Sequence, residues 1–231
     1  MVSMLLFSFE GIVRIALLMG VFGAIVIFGE YLRRSQILVG EGARKFVHAA
    51  CGTWAALWPI FIDLNSIAVV FFALAIGAII LRQFKIFQSV YSIKRLSIGE
   101  ILIGIGLGVA ALLAKNGTVF ASAVLIIAWS DSLAAIIGMR YGRKNTFIVL
   151  GSKKSYIGSF AFFMSTFVIV MTSMYYKFGS ISFNSIPHLA GTIALSAFVS
   201  VCLTIIELTG VYGIDNLTIP IFATIVLNAL L

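Results

Sequence analysis

Eight apolar stretches, at about residues 11–29, 46–62, 66–81, 99–114, 118–138, 157–174, 187–207 and 214–231, make up most of this chain and leave it few ways to fold. A bilayer-spanning helix needs roughly 20 mainly apolar residues. Eight of them would use about 160 of the 231 positions. Backbone amides in lipid must bond within their own segment, so continuous apolar runs form helices there. An outer-membrane barrel would show short segments of alternating polarity instead. The expected fold is an all-α polytopic membrane bundle of about eight transmembrane helices, forming a single domain over 1–231. The third stretch is short and the eighth runs to the last residue, so seven spans is the alternative count.

Composition narrows the function. Hydrophobic residues are 61% of the chain, charged residues only 10%, and mean hydropathy is +1.15. Ordinary soluble domains run to about 25% charged. A soluble enzyme, a disordered chain and a sizeable extramembrane domain are thereby excluded. The first residues lack the basic region and small-residue cleavage site of a secretory signal and read as mature protein. Cys51 and Cys202 lie in apolar runs and imply no disulfide framework. The net charge of +8 does not point to nucleic acid, because the bases sit between apolar segments, where topology and anionic headgroups account for them.

Of the 16 bases, all but Arg14, Lys115 and Lys177 fall in three connections. Arg33, Arg34, Arg44 and Lys45 precede the second span. Arg82, Lys85, Lys94 and Arg95 follow the third, and Arg140, Arg143, Lys144, Lys153 and Lys154 follow the fifth. The positive-inside rule makes these three loops cytoplasmic. Glu30, Glu41, Glu100, Asp131, Glu207 and Asp215 gather on the same face, leaving Glu10 and Asp63 opposite. Topology signalling predicts nothing about acids, so a face rich in both signs points to a polar site.

Three elements on that face carry chemistry. In EGARKFVHAACG (41–52), helical spacing puts Arg44, His48 and Gly52 on one side. Arg44 and Lys45 open this helix, where the dipole is already positive and a bound anion would relieve the conflict; loop-charge placement is the plainer account. In WSDSLAAIIGMRYGRK (129–144), Asp131 lies about 10 Å below the membrane boundary at ~1.5 Å per residue. A carboxylate at that depth costs several kcal/mol unless paired. Bound Mg²⁺ would offset the cost, and Mg²⁺ sites use one or two carboxylates plus substrate phosphates. Gly138 and Gly142, beside Arg140 and Arg143, leave room for a ligand or for a G-x-x-x-G helix contact. In GSKKSYIGS (151–159), Lys153 and Lys154 are expected at the start of the sixth helix, with Ser155 as its cap or a phosphate ligand and Gly158 and Ser159 allowing close approach.

Two weaker features complete the pattern. SIGE (97–100) fits a capping box with Ser97 at the N-cap and Glu100 at N3. ELTGVYGIDN (207–216) brings Glu207, Asp215 and Asn216 to the same face, although Asp215 or Asn216 also suits a helix cap. The spacing of a Walker A loop is absent, and IGIGLG (103–108) has no strand before it. Basic helix ends, a recessed carboxylate and further acids suit a polyphosphate–Mg²⁺ complex brought to a membrane-borne substrate. Phosphoryl transfer rests on positioning and charge neutralisation, with His48 or Asp131 as base.

RKFVHAACG (44–52), IGEILIGIG (98–106), SDSLAAIIGMRYG (130–142), KSYIGS (154–159) and ELTGVYGIDN (207–216) occur in an order that resembles the CTP-dependent lipid-alcohol kinases, namely dolichol kinase, phytol kinase and the CTP-using diacylglycerol kinase. The resemblance implies transfer of the CTP γ-phosphate to a lipid hydroxyl with Mg²⁺, from a polyprenol, dolichol or phytol before diacylglycerol, on the cytoplasmic side of the membrane. By it, Asp131 and His48 are catalytic. Arg44, Lys45, Gly138, Gly142, Lys154, Ser155, Gly158 and Ser159 match the family's motifs and are expected to meet nucleotide or phosphate, and the neighbouring bases Arg140, Arg143 and Lys153 join that set from their place in the same connection. Many members carry an acid where this chain has Ile157, so the metal ligands fall to Asp131 with Glu100, Glu207 or Asp215. A phosphatidate cytidylyltransferase-like reading is the alternative. A transporter is disfavoured, because polar residues crowd one side and no internal repeat is evident.

Overall fold

The computed structural model describes residues 8–84, 98–178 and 186–231. Helices occupy all eight apolar stretches. We label them α1 (Phe9–Arg34), α2 (Glu41–Ala56), α3 (Leu64–Phe84), α4 (Gly99–Leu113), α5 (Gly117–Leu125), α6 (Asp131–Tyr141), α7 (Tyr156–Phe178), α8 (Ile186–Thr209) and α9 (Asp215–Leu230). A π-helical turn, Ile126–Ser130, joins α5 to α6 in one continuous rod. Among the described residues, five helices are long and apolar enough to cross a membrane: α1, α3, the α5–α6 rod, α7 and α8. α4 and α9 are apolar but shorter, so the fold is consistent with a membrane helix bundle, and the count of eight spans is not shown.

Local chemistry sets the helix ends. Ser8 caps α1 by accepting from Gly11 N at 3.0 Å, and Arg33 and Arg34 close it where the dipole favours cations. Asp63 caps α3 through Ser66 N at 3.0 Å. Asn116 caps α5 through Val119 N at 3.0 Å. At α4, Ile98 stands at the N-cap without a side-chain bond and Glu100 turns to Arg82 at 2.8 Å; the capping box expected there rests on Ser97, outside the described residues. Lys85, Lys94 and Arg95 also lie outside them.

The α5–α6 rod is the axis of the bundle. α1 packs on α2, α3 on α4, α4 on α9, and α7 on both α6 and α8, while α2 lies along α5 and the π turn. Apolar burial alone does not hold helices together in lipid, so association relies on close packing of small residues. Ala110, Ala123 and Ala223 are fully buried, and a Cβ on Gly104 would stand 3.0 Å from the Phe71 carbonyl oxygen. Trp58, stacked on Phe71 at 5.1 Å, closes the core at one end.

The bundle is all-α apart from one short element. Thr146–Val149 (β1) and Ser152–Ser155 (β2) form an antiparallel hairpin between α6 and α7, pairing Phe147 with Lys154 and Ile148 with Lys153. Leu150 and Gly151 both have positive φ (47° and 79°), the two-residue turn whose twist matches a hairpin. Lys153 and Lys154 therefore lie on a strand, and α7 begins only at Tyr156.

Candidate active site

Polar residues from α2, α6, β2, α8 and α9 meet at one end of the bundle. Arg14, Lys115 and Lys177 belong to the other: Arg14 bonds the Phe61 carbonyl at 3.0 Å, and Lys115 bonds the Asn228 carbonyl at 3.1 Å. At the centre of the site Lys45 Nζ is ion-paired with Asp131 Oδ2, two residues only 3% and 8% exposed. His48 stands one turn on from Lys45, with Nε2 3.7 Å from the same carboxylate oxygen and 3.1 Å from the Ile127 carbonyl. Nε2–H donates to that carbonyl, so in the neutral imidazole Nδ1 carries the lone pair.

The local fold explains these positions. The π turn sits immediately before Asp131 and shifts the phase of the rod there; such turns recur at functional sites. Ser130 is fully buried and accepts from Thr166 Oγ1 at 2.9 Å, tying the turn to α7. Ser132 Oγ donates to the Lys45 carbonyl at 3.3 Å, which ties α6 to α2.

A second ion pair joins the hairpin to α8. Lys154 Nζ donates to the Glu207 carbonyl at 2.9 Å and to Glu207 Oε1. Glu207 Oε2 is buried and has no hydrogen-bond partner among the described residues. Asp215 is half-buried at the start of α9 and feels the charges of Asp131, Lys45 and Lys154, while Arg44 feels both Asp131 and Asp215. Arg44, Lys45, His48, Asp131, Lys154, Glu207 and Asp215 thus form one electrostatically connected cluster. Asn216 sits beside it, donating from Nδ2 to the Gly99 carbonyl at 3.2 Å, and its buried Oδ1 has no partner among the described residues.

Other predicted residues take different positions. Ser155 caps α7, accepting from Gly158 N at 3.2 Å. Gly138, Gly142 and Gly158 let α6 and α7 touch: a Cβ on Gly138 would fall 2.8 Å from Ser155 Oγ, and one on Gly158 2.8 Å from the Ala134 carbonyl. Ser159 is half-buried on α7. Arg140 and Arg143 are exposed, the first against the Tyr141 ring and the second donating to the Met139 carbonyl at 3.1 Å. Lys153 points away from Lys154, as strand alternation requires, and is exposed. Glu100 is ion-paired with Arg82 at 2.8 Å.

The donor set suits Mg²⁺ only in part. Among the described residues no three His, Cys, Asp or Glu side chains form a ready-made cage. Asp131, Asp215 and the unpartnered Glu207 Oε2 nevertheless offer the one or two carboxylates that Mg²⁺ uses when phosphates complete its shell.

Among the described residues, two cavities bear on the site's placement. One, of about 370 Å³, starts at Arg44, His48, Glu100 and Asn216 and extends between α1, α2, α3 and α4. A smaller one of about 230 Å³, lined by Arg14, Phe61 and Asp63, lies at the opposite end, away from the charge cluster.

Sequence reasoning missed the π turn and the hairpin. A Leu-Gly turn lacks the usual Asn-Gly or Asp-Gly signal, so Gly151 after TFIV was the one available clue.

The chain resembles the phytol kinase of Synechocystis sp., 32% identical over 212 residues that cover 88% of this chain and 85% of that protein. It is 25% identical to a probable chloroplastic phytol kinase 2 of Glycine max and 27% identical to a probable chloroplastic phytol kinase of Zea mays, covering 94% of this chain and 74% and 75% of theirs. No protein-family model matches the chain, and no solved structure matches it. An apolar helix bundle closed at one end by buried charge pairs is, with these relatives, a membrane-bound lipid-alcohol kinase. The chain belongs to the phytol kinase family.

Proposed function

We propose that this protein transfers the γ-phosphate of CTP to the hydroxyl of a membrane isoprenoid alcohol, phytol or a polyprenol, giving the lipid phosphate and CDP. The observation that carries this reading is the meeting of Lys45, His48 and Asp131 in one buried cluster at the polar end of an apolar bundle. The positive-inside rule assigns that end to the cytoplasm, where nucleotide is available.

Each residue has a task that its geometry supports. Lys45, Lys154 and Arg44 converge on the cluster and supply positive charge for the triphosphate. Asp131, with Asp215 or Glu207, would hold Mg²⁺, which neutralises phosphate charge during transfer. Lys45 neutralises Asp131 within the protein, and the same two side chains can exchange each other for a phosphate oxygen and a cation. His48 Nδ1 accepts the proton of the attacking hydroxyl. The alcohol oxygen bonds to the γ-phosphorus as the bond to the β-phosphate oxygen breaks, and CDP leaves with that electron pair. Asn216 lines the same cavity and its buried Oδ1 has no hydrogen-bond partner among the described residues, so it would accept a hydrogen bond from the alcohol before transfer.

Incubating purified protein with labelled CTP, Mg²⁺ and phytol, farnesol, a polyprenol or diacylglycerol tests the proposal. Labelled lipid phosphate and CDP are the expected products. Pyrophosphate with a CDP-lipid would assign a cytidylyltransferase, and no lipid product across the panel would overturn the kinase reading.

A further inference from the structure

The cavity of about 370 Å³ has the polarity of a lipid alcohol. Its wall is apolar along most of its length, with Phe71, Leu74 and Leu107 at depth, and its polar groups are confined to one end, at Arg44, His48, Glu100 and Asn216. His48 belongs both to this wall and to the Asp131 cluster, so the cavity is continuous with the site of phosphoryl transfer. Asn216 is 5% exposed, and its Oδ1 lacks a hydrogen-bond partner among the described residues. A buried acceptor of that kind costs free energy unless a donor reaches it, and the hydroxyl of a bound alcohol is such a donor.

The packing shows how a membrane lipid would enter. α1 packs on α2 and α3 on α4, and the cavity lies between these two pairs. Ile27 on α1 and Leu81 on α3 both line it and are 60% and 37% exposed, which opens the cavity along the α1–α3 edge toward the surrounding membrane. Gly23 and Gly77 also line it, and a Cβ at either would meet no atom within 4 Å. The volume is at the lower end of the ~300–1,000 Å³ of ligand pockets, which suits one hydrocarbon chain better than two.

We propose that this cavity is the acceptor site: it takes the single hydrocarbon tail of the alcohol through the α1–α3 edge and delivers the hydroxyl to Asn216 and His48. The assignment rests on the kinase reading for the identity of the ligand but not for its test. A phytol analogue with a diazirine near the tail end is photolysed with the purified full chain, and the labelled peptides are mapped. Labels on α1, α3 or α4 residues of the cavity wall are expected. The label should fall about tenfold in a Gly23→Leu/Gly77→Leu variant and persist in Gly20→Leu, a substitution on the same helix, also into open space, that does not line the cavity. Thermal melting of each variant checks folding. Labels confined to other faces, or equal labelling in a folded double variant, would overturn the site even if phytol is phosphorylated. Cavity labelling without phosphorylation of any alcohol would leave the site standing and remove the kinase assignment.

Discussion

Lys45 and Asp131, 86 residues apart, neutralise each other in the interior of the helix bundle, and His48 stands within 3.7 Å of the same carboxylate oxygen. Separating either partner leaves an uncompensated buried charge, which costs about 3–5 kcal/mol. Asp131→Asn keeps the shape and loses the charge, so it is expected to fold while turnover with CTP drops at least ~100-fold. Lys45→Gln should lower turnover similarly. The double variant should recover thermal stability relative to the sum of the singles, because neither charge is then stranded. Detergent-phase melting and product formation measure both quantities.

His48→Gln retains a polar side chain but removes the proton acceptor. Turnover is expected to fall by ~10²–10⁴-fold with the KM for CTP nearly unchanged. A large rise in that KM without loss of turnover would reassign His48 to nucleotide binding.

The two neighbouring lysines of the hairpin should behave differently. Lys154→Met strands the buried Glu207 carboxylate, at a cost of about 3–5 kcal/mol, and should raise the KM for CTP. Lys153→Ala removes an exposed charge and should change stability by less than ~0.5 kcal/mol. A pairwise comparison of melting and KM decides whether strand alternation separates their roles.

The α6–α7 contact leaves no space for side chains. Gly158→Ala places a Cβ against the Ala134 carbonyl, and such overpacking should cost about 1–3 kcal/mol. Gly42→Ala, where nothing lies within 4 Å, is the matched control and should melt like the unaltered protein.

Much of the candidate site was legible because its signals are local. Asp131 stood out as a carboxylate inside an apolar run, and Arg44, Lys45 and His48 shared one stretch of helix. The tasks of Lys153 and Lys154 were not legible, since a Leu-Gly turn disguised the hairpin and strand alternation sends one lysine to Glu207 and the other to solvent. Gly138, Gly142 and Gly158 could not be divided between ligand and helix packing without knowing which helix faces them; α7 faces α6, and the space is filled.

Hydropathy and the grouping of charged residues determined from the sequence alone that this is a helical membrane protein with a polar end, because segment length and apolarity are properties of consecutive residues. Which cation meets Asp131, where Glu207 finds Lys154, and the cavity between the α1–α2 and α3–α4 pairs depended on the tertiary structure. Those relations are set by the rotation and spacing of helices distant in the chain, and a π turn shifts that rotation at Asp131 without leaving a local composition signal.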